Sequence, residues 1–278
     1  MNKLLIFGLD GATFDLIRPW AAQGHLPNLK RLIDGGVSGD LNSTLPPVTS
    51  PAWPSFMTGM NPGKHNVFDF IRPDAGDFTL VNATSIRAPT IWQIASQAGL
   101  KVGAMNVPVT FPPQKVNGFM ITGMLSPSDA EITYPESLLD PYTKALGPYR
   151  VALRVQYKEG NEDEFLDDAL DLIETRGKYA LQLMTDQPWD LFMVHFIVLD
   201  NLQHAFWKFI DPAHPRYRPE LAAKYGDSLL QAYSRVDEQV GRLIRRAQDI
   251  GGDINVMVMS DHGFGPLHYI VNLNVHLL

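Results

Sequence analysis

The sequence predicts an α/β fold, a largely parallel sheet covered on both faces by helices. Two observations carry this. Apolar runs that read as buried strands alternate with amphipathic stretches of helical period, the pattern of a parallel sheet with crossover helices. Three of those runs, "KLLIFGL", "LFMVHFIVL" and "INVMVMS", are each followed by an aspartate, where ligands bind in open α/β sheets.

In chain order, 3–9 is a strand and "PNLKRLIDGG" (27–36) a short amphipathic helix closed by glycines. "TIWQIASQAG" (90–99) is a second helix, feeding strands at "KVGAMNVP" (101–108) and "NGFMITGML" (117–125). From 126 to 160 the period is lost and Pro and Gly accumulate, so this segment reads as a loop-rich insertion or partial cap. Residues 162–186 carry Phe165, Ala169, Leu172 and Ile173 at helical spacing, with acids in the first turns where the helix dipole favours them. A strand through Leu199 follows, then a connection (211–220). A long helix striped by Val236, Val240, Leu243 and Ile244 leads to the last strand, at 254–260.

The whole chain, 1–278, reads as a single core. Its apolar last residues, "IVNLNVHLL", look unfinished, as if a larger protein continued beyond them. The net charge of −7 argues against a protein that coats nucleic-acid duplexes. Without cysteine there are no disulfides, thiolate nucleophiles or Cys-bound zinc, so His and carboxylates are the strong ligands left. Neither a signal peptide nor a membrane span is read, and a cytoplasmic protein is the expectation.

Asp10, Asp200 and Asp261 each follow a strand, and two have histidines close by. Asp200 and His204 are four apart, on one face of a helix. His262 follows Asp261 where Gly263 and Gly265 loosen the backbone, so both side chains can turn inward. Mixed N and O donors of this kind suit zinc, manganese or iron, and two ions could share them for phosphoryl transfer. Thr49 and Ser50 stand before Pro51, at the opening of a helix that closes at "TG" (58–59). Such an opening offers N–H groups and a dipole to a phosphate, although either hydroxyl could equally be an ordinary cap.

Together "GLDGA", "TSPAWPSFMTGMNPGKH", "DNLQH" and "SDHGFG", in this order, resemble the type I phosphodiesterase/nucleotide pyrophosphatase family of the alkaline phosphatase superfamily over nearly the whole chain. The resemblance implies an alkaline phosphatase-like fold and a metal-dependent hydrolase of small-molecule phosphate esters, diesters or nucleotide-like compounds ahead of monoesters. It implies two divalent ions, zinc or manganese. Asp10, Thr49, Asp261 and His262 would hold one, with Thr49 also the nucleophile and Ser50 the fallback, and Asp200 and His204 would hold the other. No further cofactor and no membrane are implied.

The sequence departs from the family in three places. The histidine that completes the second metal site comes well after "DHG" in the family, and here only His268 and His276 follow, so that ion is expected to be weakly held or absent. Asn66 stands where a glycine is usual, and no Asn follows at once to hold a phosphoryl oxygen. His65 is read as a brace for its loop and His195 as a core histidine, while Phe206, Trp207 and Phe209 are read as packing. Two other functions stay open: a phosphomutase acting on a sugar phosphate, and a noncatalytic remnant that keeps a metal. Sulfate ester hydrolysis ranks lower, because no Arg follows Pro51 in a "C/S-x-P-x-R" element.

Overall fold

The computed structural model describes residues 2–72 and 78–272. In chain order the elements are β1 (Lys3–Leu9), α1 (Phe14–Ala22), α2 (Pro27–Gly35), α3 (Thr49–Thr58), α4 (Pro62–His65), α5 (Ile91–Gln97), β2 (Val102–Met105), β3 (Gly118–Ile121) and β4 (Thr133–Tyr134). They continue with α6 (Asp140–Leu146), α7 (Glu162–Asp186), β5 (Leu191–Phe196), α8 (Val198–Ile210), α9 (Pro219–Tyr225), α10 (Ser228–Ile250) and β6 (Ile254–Met259). The sheet order is β4-β3-β2-β5-β1-β6. Every pairing is parallel except β3 with β4.

This order positions the site. β1 lies between β5 and β6, so three neighbouring strands end side by side at one edge, roughly 5 Å apart. Gly8 is level with Met259 in the register, which brings Asp10 and Asp261, each two residues on, to the same height. Side-chain parity then selects the face. Leu5, Phe7 and Leu9 point into the larger core, with Phe192, Val194 and Phe196 of β5 and residues of α7, α8 and α10. Ile6, Leu191 and Met193 point into the other core, with Trp53 and Met57 of α3 and Trp92 of α5. Asp10, His195 and Asp261 share the parity of this second set, so strand alternation aims all three at α3.

The elements differ in places from those read in the sequence. The strand expected to run to Leu199 ends at Phe196, and Val198–Asp200 already form the first turn of α8. The apolar run is unbroken because strand and helix start are both buried. Helix α1 forms where the sequence analysis assigns no element and encloses Pro19; its start is marked by Thr13, whose Oγ1 accepts from the Asp15 N–H at 3.2 Å. Within 126–160, read as a loop-rich insertion or partial cap, lie β4, which adds antiparallel to the sheet, and α6.

Gly8 faces α3 without a side chain, and a Cβ there would stand 2.6 Å from Cη2 of the buried Trp53. Gly8→Ala is therefore expected to destabilise the fold by about 1–3 kcal/mol, as overpacked cores do, with the loss read from the midpoint of urea unfolding.

Candidate active site

At the carboxyl edge of β1, β5 and β6 the sequence-predicted residues Asp10, Thr49, Asp200, Asp261 and His262 come together. Asp10 is fully buried just past β1. Its Oδ2 lies 2.9 Å from both the Trp53 indole N–H and the His195 Nε2. Its Oδ1 is turned the other way, 3.3 Å from Thr49 Oγ1 and 3.6 Å from His262 Nε2. Asp261 is divided in the same manner. Oδ1 accepts from the Gly11 N–H at 3.2 Å, while Oδ2 is buried without a hydrogen-bond partner and lies 3.4 Å from His262 Nε2. Asp200 Oδ1 is 3.9 Å from the same nitrogen.

The turn after β1 is built to hold these groups. Gly11 has φ +65°, and a Cβ would come within 3.3 Å of Asp200, so glycine serves both the left-handed backbone and the close approach. The Gly11 carbonyl accepts from Gln203 Nε2 at 2.8 Å, and the Tyr233 hydroxyl donates to Gln203 Oε1 at 3.0 Å, tying the turn to α8 and α10. Ser43 Oγ donates to the Asp261 carbonyl at 2.5 Å.

Thr49 is the first residue of α3, and its Oγ1 lies 3.2 Å from His262 Nε2. The preceding Val48 supplies no side-chain cap, which leaves the first N–H groups of the helix open. Ser50 is fully buried, and its hydroxyl has no hydrogen-bond partner. His65 is also buried. Its Nδ1 accepts from the Val67 N–H, so Nε2 carries the proton and donates to Ser55 Oγ at 2.8 Å, and Ser55 in turn donates to the Pro51 carbonyl. Asn66 adopts φ +70°, the left-handed conformation for which glycine is the easier residue.

His204 stands at the rim with its side chain 69% exposed and Nε2 3.4 Å from Asp200 Oδ1, and its ring meets Phe264 edge-on at 4.7 Å. Phe264 also stacks on Trp207, so the loop after His262 is packed against α8. His268 is engaged elsewhere, 3.1 Å from Asp211 Oδ2, and His276 lies outside the described residues. Two contributors escaped the sequence reading. Trp53, inside the "TSPAWPS" motif, donates to Asp10, and His195, a core histidine by sequence, is buried as expected but bonded to Asp10.

Burial and mutual repulsion dominate the electrostatics of the acids. Burial first, and the neighbouring Asp200 charge second, push Asp10 up to about 7; burial and the Asp10 charge push Asp261 to about 7 as well. Burial opposes a charge on His262, but Asp261, the Gly263 carbonyl, Asp10 and Asp200 outweigh it and its pKa is raised. His204 is raised chiefly by its hydrogen bond to Asp200. Burial, reinforced by the Arg176 guanidinium, pushes His195 down to about 3, so its ring is neutral; opposite the ionised, acceptor-only Asp10 carboxylate its proton sits on Nε2.

The donor set fits a metal ion. Because His262 Nδ1 donates to the Gly263 carbonyl at 2.8 Å, the neutral ring turns the lone pair of Nε2 toward the acids. That lone pair, Asp10 Oδ1, Asp200 Oδ1 and the orphaned Asp261 Oδ2 then converge on Thr49 Oγ1, four strong acceptors around one hydroxyl, which donates to Asp10 Oδ1. Asp10, Asp200 and His262 offer donor atoms within 4.8 Å of one another and form the one such group of three among the described residues. Asp200 thus adjoins both ligand sets implied by the resemblance, next to His262 on one side and His204 on the other.

A family model described as type I phosphodiesterase / nucleotide pyrophosphatase matches residues 4–278. No curated protein sequence matches the chain. Among solved structures, phosphonoacetate hydrolase from Sinorhizobium meliloti in complex with phosphonoacetate is 17% identical with a TM-score of 0.55, over 95% of this chain and 56% of that one. A 2-O GAG sulfatase is 12% identical with a TM-score of 0.61, over 98% of this chain and 61% of that one. A putative sulfatase from Bacteroides thetaiotaomicron, also 12% identical, has a TM-score of 0.60 over the same shares. These likenesses establish a shared fold, and the chain spans 56% to 61% of the length of those proteins. Among the described residues no helix is long and apolar enough to cross a membrane.

Proposed function

The chain belongs to the type I phosphodiesterase / nucleotide pyrophosphatase family of the alkaline phosphatase superfamily, and from that premise we propose that it is a metal-dependent hydrolase of phosphate esters, with a diester or nucleotide-like substrate, acting through a phosphothreonine at Thr49. One observation carries the reading. The Thr49 hydroxyl stands 3.2 Å from His262 Nε2 and 3.3 Å from Asp10 Oδ1, at an uncapped helix start and beside the converging carboxylates of Asp10, Asp200 and Asp261.

Asp10, Asp261 and His262 with Thr49 would hold one ion, and Asp200 with His204 the other. Two divalent ions, zinc or manganese by donor chemistry, would lower the pKa of the Thr49 hydroxyl and offset charge on the phosphoryl oxygens. Thr49 Oγ1, its proton given to solvent, bonds to phosphorus as the ester oxygen departs with the electron pair and takes up a proton. The open N–H groups at the start of α3 donate to a phosphoryl oxygen. Water then attacks the phosphothreonine, which still carries the second ester group, from the opposite side; one water proton returns to Thr49 Oγ1 as a phosphate monoester leaves. Two inversions give net retention at phosphorus.

The test is a hydrolysis screen with the protein loaded with zinc or with manganese, using bis(4-nitrophenyl) phosphate and 4-nitrophenyl phosphate. Metal-dependent release of nitrophenol, faster from the diester, is the expected result. Bound metal without turnover on either ester would favour a noncatalytic domain, and return of the phosphoryl group to a sugar hydroxyl instead of water would favour a phosphomutase.

A further inference from the structure

We propose that His195 and Trp53 are positioning residues for the metal centre: both occupy Asp10 Oδ2, so that Oδ1 alone is presented to a cation. The inference rests on the reading of Asp10 as a metal ligand and goes beyond it to the residues that aim the ligand.

A carboxylate at a metal site can turn about its last bond, and a ligand free to turn holds metal less tightly than one fixed by outer hydrogen bonds. Here both donors meet one oxygen, at 2.9 Å each, from opposite elements. Trp53 comes from α3, the helix that also carries Thr49, and His195 from β5, the strand beside β1. The two rings brace one another edge to face, with centroids 4.6 Å apart and planes at 86°. The His195 carbonyl is held in turn by Arg176 Nη1 at 3.0 Å. Gly8 leaves the space into which Trp53 reaches. Asp10, Trp53, His195 and Arg176 are all buried. Asp10 Oδ1, by contrast, meets Thr49 and His262, the groups that the proposed reaction needs.

The test measures zinc or manganese affinity by titration calorimetry on metal-stripped protein. Trp53→Phe keeps the ring and loses the N–H; His195→Leu loses the donor; His195→Gln restores an N–H near the position of Nε2. Trp53→Phe and His195→Leu are each expected to weaken binding by roughly 10- to 100-fold, with His195→Gln within a few-fold of the parent. Far-UV circular dichroism and melting in excess chelator establish which variants are folded, and a role limited to packing would change that melting without the donor-dependent pattern in affinity. Should His195→Leu fail to fold, Trp53→Phe and His195→Gln decide. Affinity equal to the parent in folded Trp53→Phe, or an undiminished loss in folded His195→Gln, would overturn the inference, as would a parent protein that binds neither metal. Because the readout is affinity, metal binding that follows the expected pattern in a protein inert toward phosphate esters would support the positioning role while removing the hydrolase reading.

Discussion

Thr49→Ala is expected to lower the turnover of a phosphodiester by ~1000-fold or more, about 4 kcal/mol of barrier, the scale on which covalent catalysis is lost with its nucleophile. Thr49→Ser, which keeps a hydroxyl, is expected to retain measurable turnover. Metal binding should survive in Thr49→Ala, because the negative charge at the site comes from Asp10, Asp200 and Asp261 and not from the hydroxyl. The checks are kcat with saturating zinc or manganese, and acid quenching with a radiolabelled substrate, which traps phosphothreonine in the parent and nothing in Thr49→Ala. The geometry separates this residue from its neighbour. Thr49 Oγ1 lies against Asp10 and His262, whereas the Ser50 hydroxyl is buried without a partner. Full turnover in Thr49→Ala would exclude a threonine nucleophile and send the attack to Ser50 or to water, a choice that Ser50→Ala would then decide.

Legibility of the site in the sequence tracked how local each signal was. Asp10 and Asp261 could be read because each ends an apolar strand, and 162–186 because its apolar residues keep helical period over many turns. The fold class followed from the same alternation. What could not be read was the order β5-β1-β6, and with it the register that levels Asp10 with Asp261. The role of His195 depends on that order. In sequence it is one polar residue in a buried strand, and only the parallel pairing of β5 with β1 places it beside Asp10. Asp200 shows a different limit. Burial is continuous from β5 into α8, so hydrophobicity alone gives no boundary, and a residue read as a strand end is instead in the first turn of a helix. His268 is held by Asp211 through the return of a loop, a contact without period or motif to announce it.

Removing metal is expected to make stability fall as pH rises from about 6.5 to 8, and restoring metal to abolish or reverse that trend. Asp10 and Asp261 have folded pKa values of about 7, against the 3.8 of a free carboxylic acid. A group raised in the folded state contributes stability that is fully present below its unfolded pKa and is lost as pH climbs through the folded one. The protonated acids therefore favour the metal-free fold, and their ionisation against one another and Asp200 opposes it. His262 and His204, also raised, act in the same direction. His195 and His65, both lowered by burial, act in the opposite sense, but mainly below about pH 6.5, where unfolded histidine gains its proton. Above that pH the acids dominate. With excess chelator, the loss between pH 6.5 and 8 should be about 1–2 kcal/mol, or roughly 2–4 °C in Tm. A bound divalent ion prefers the ionised ligands and releases their protons, so zinc or manganese should raise Tm more at pH 8 than at pH 6.5. Asp10→Asn should flatten the slope in chelator and reduce the stabilisation by metal. A metal-free protein whose Tm rises with pH across this window, or one to which neither ion adds stability at pH 8, would mean that these carboxylates are not held together as unpaired acceptors, and the case for a cation at the carboxyl edge of the sheet would fall with them.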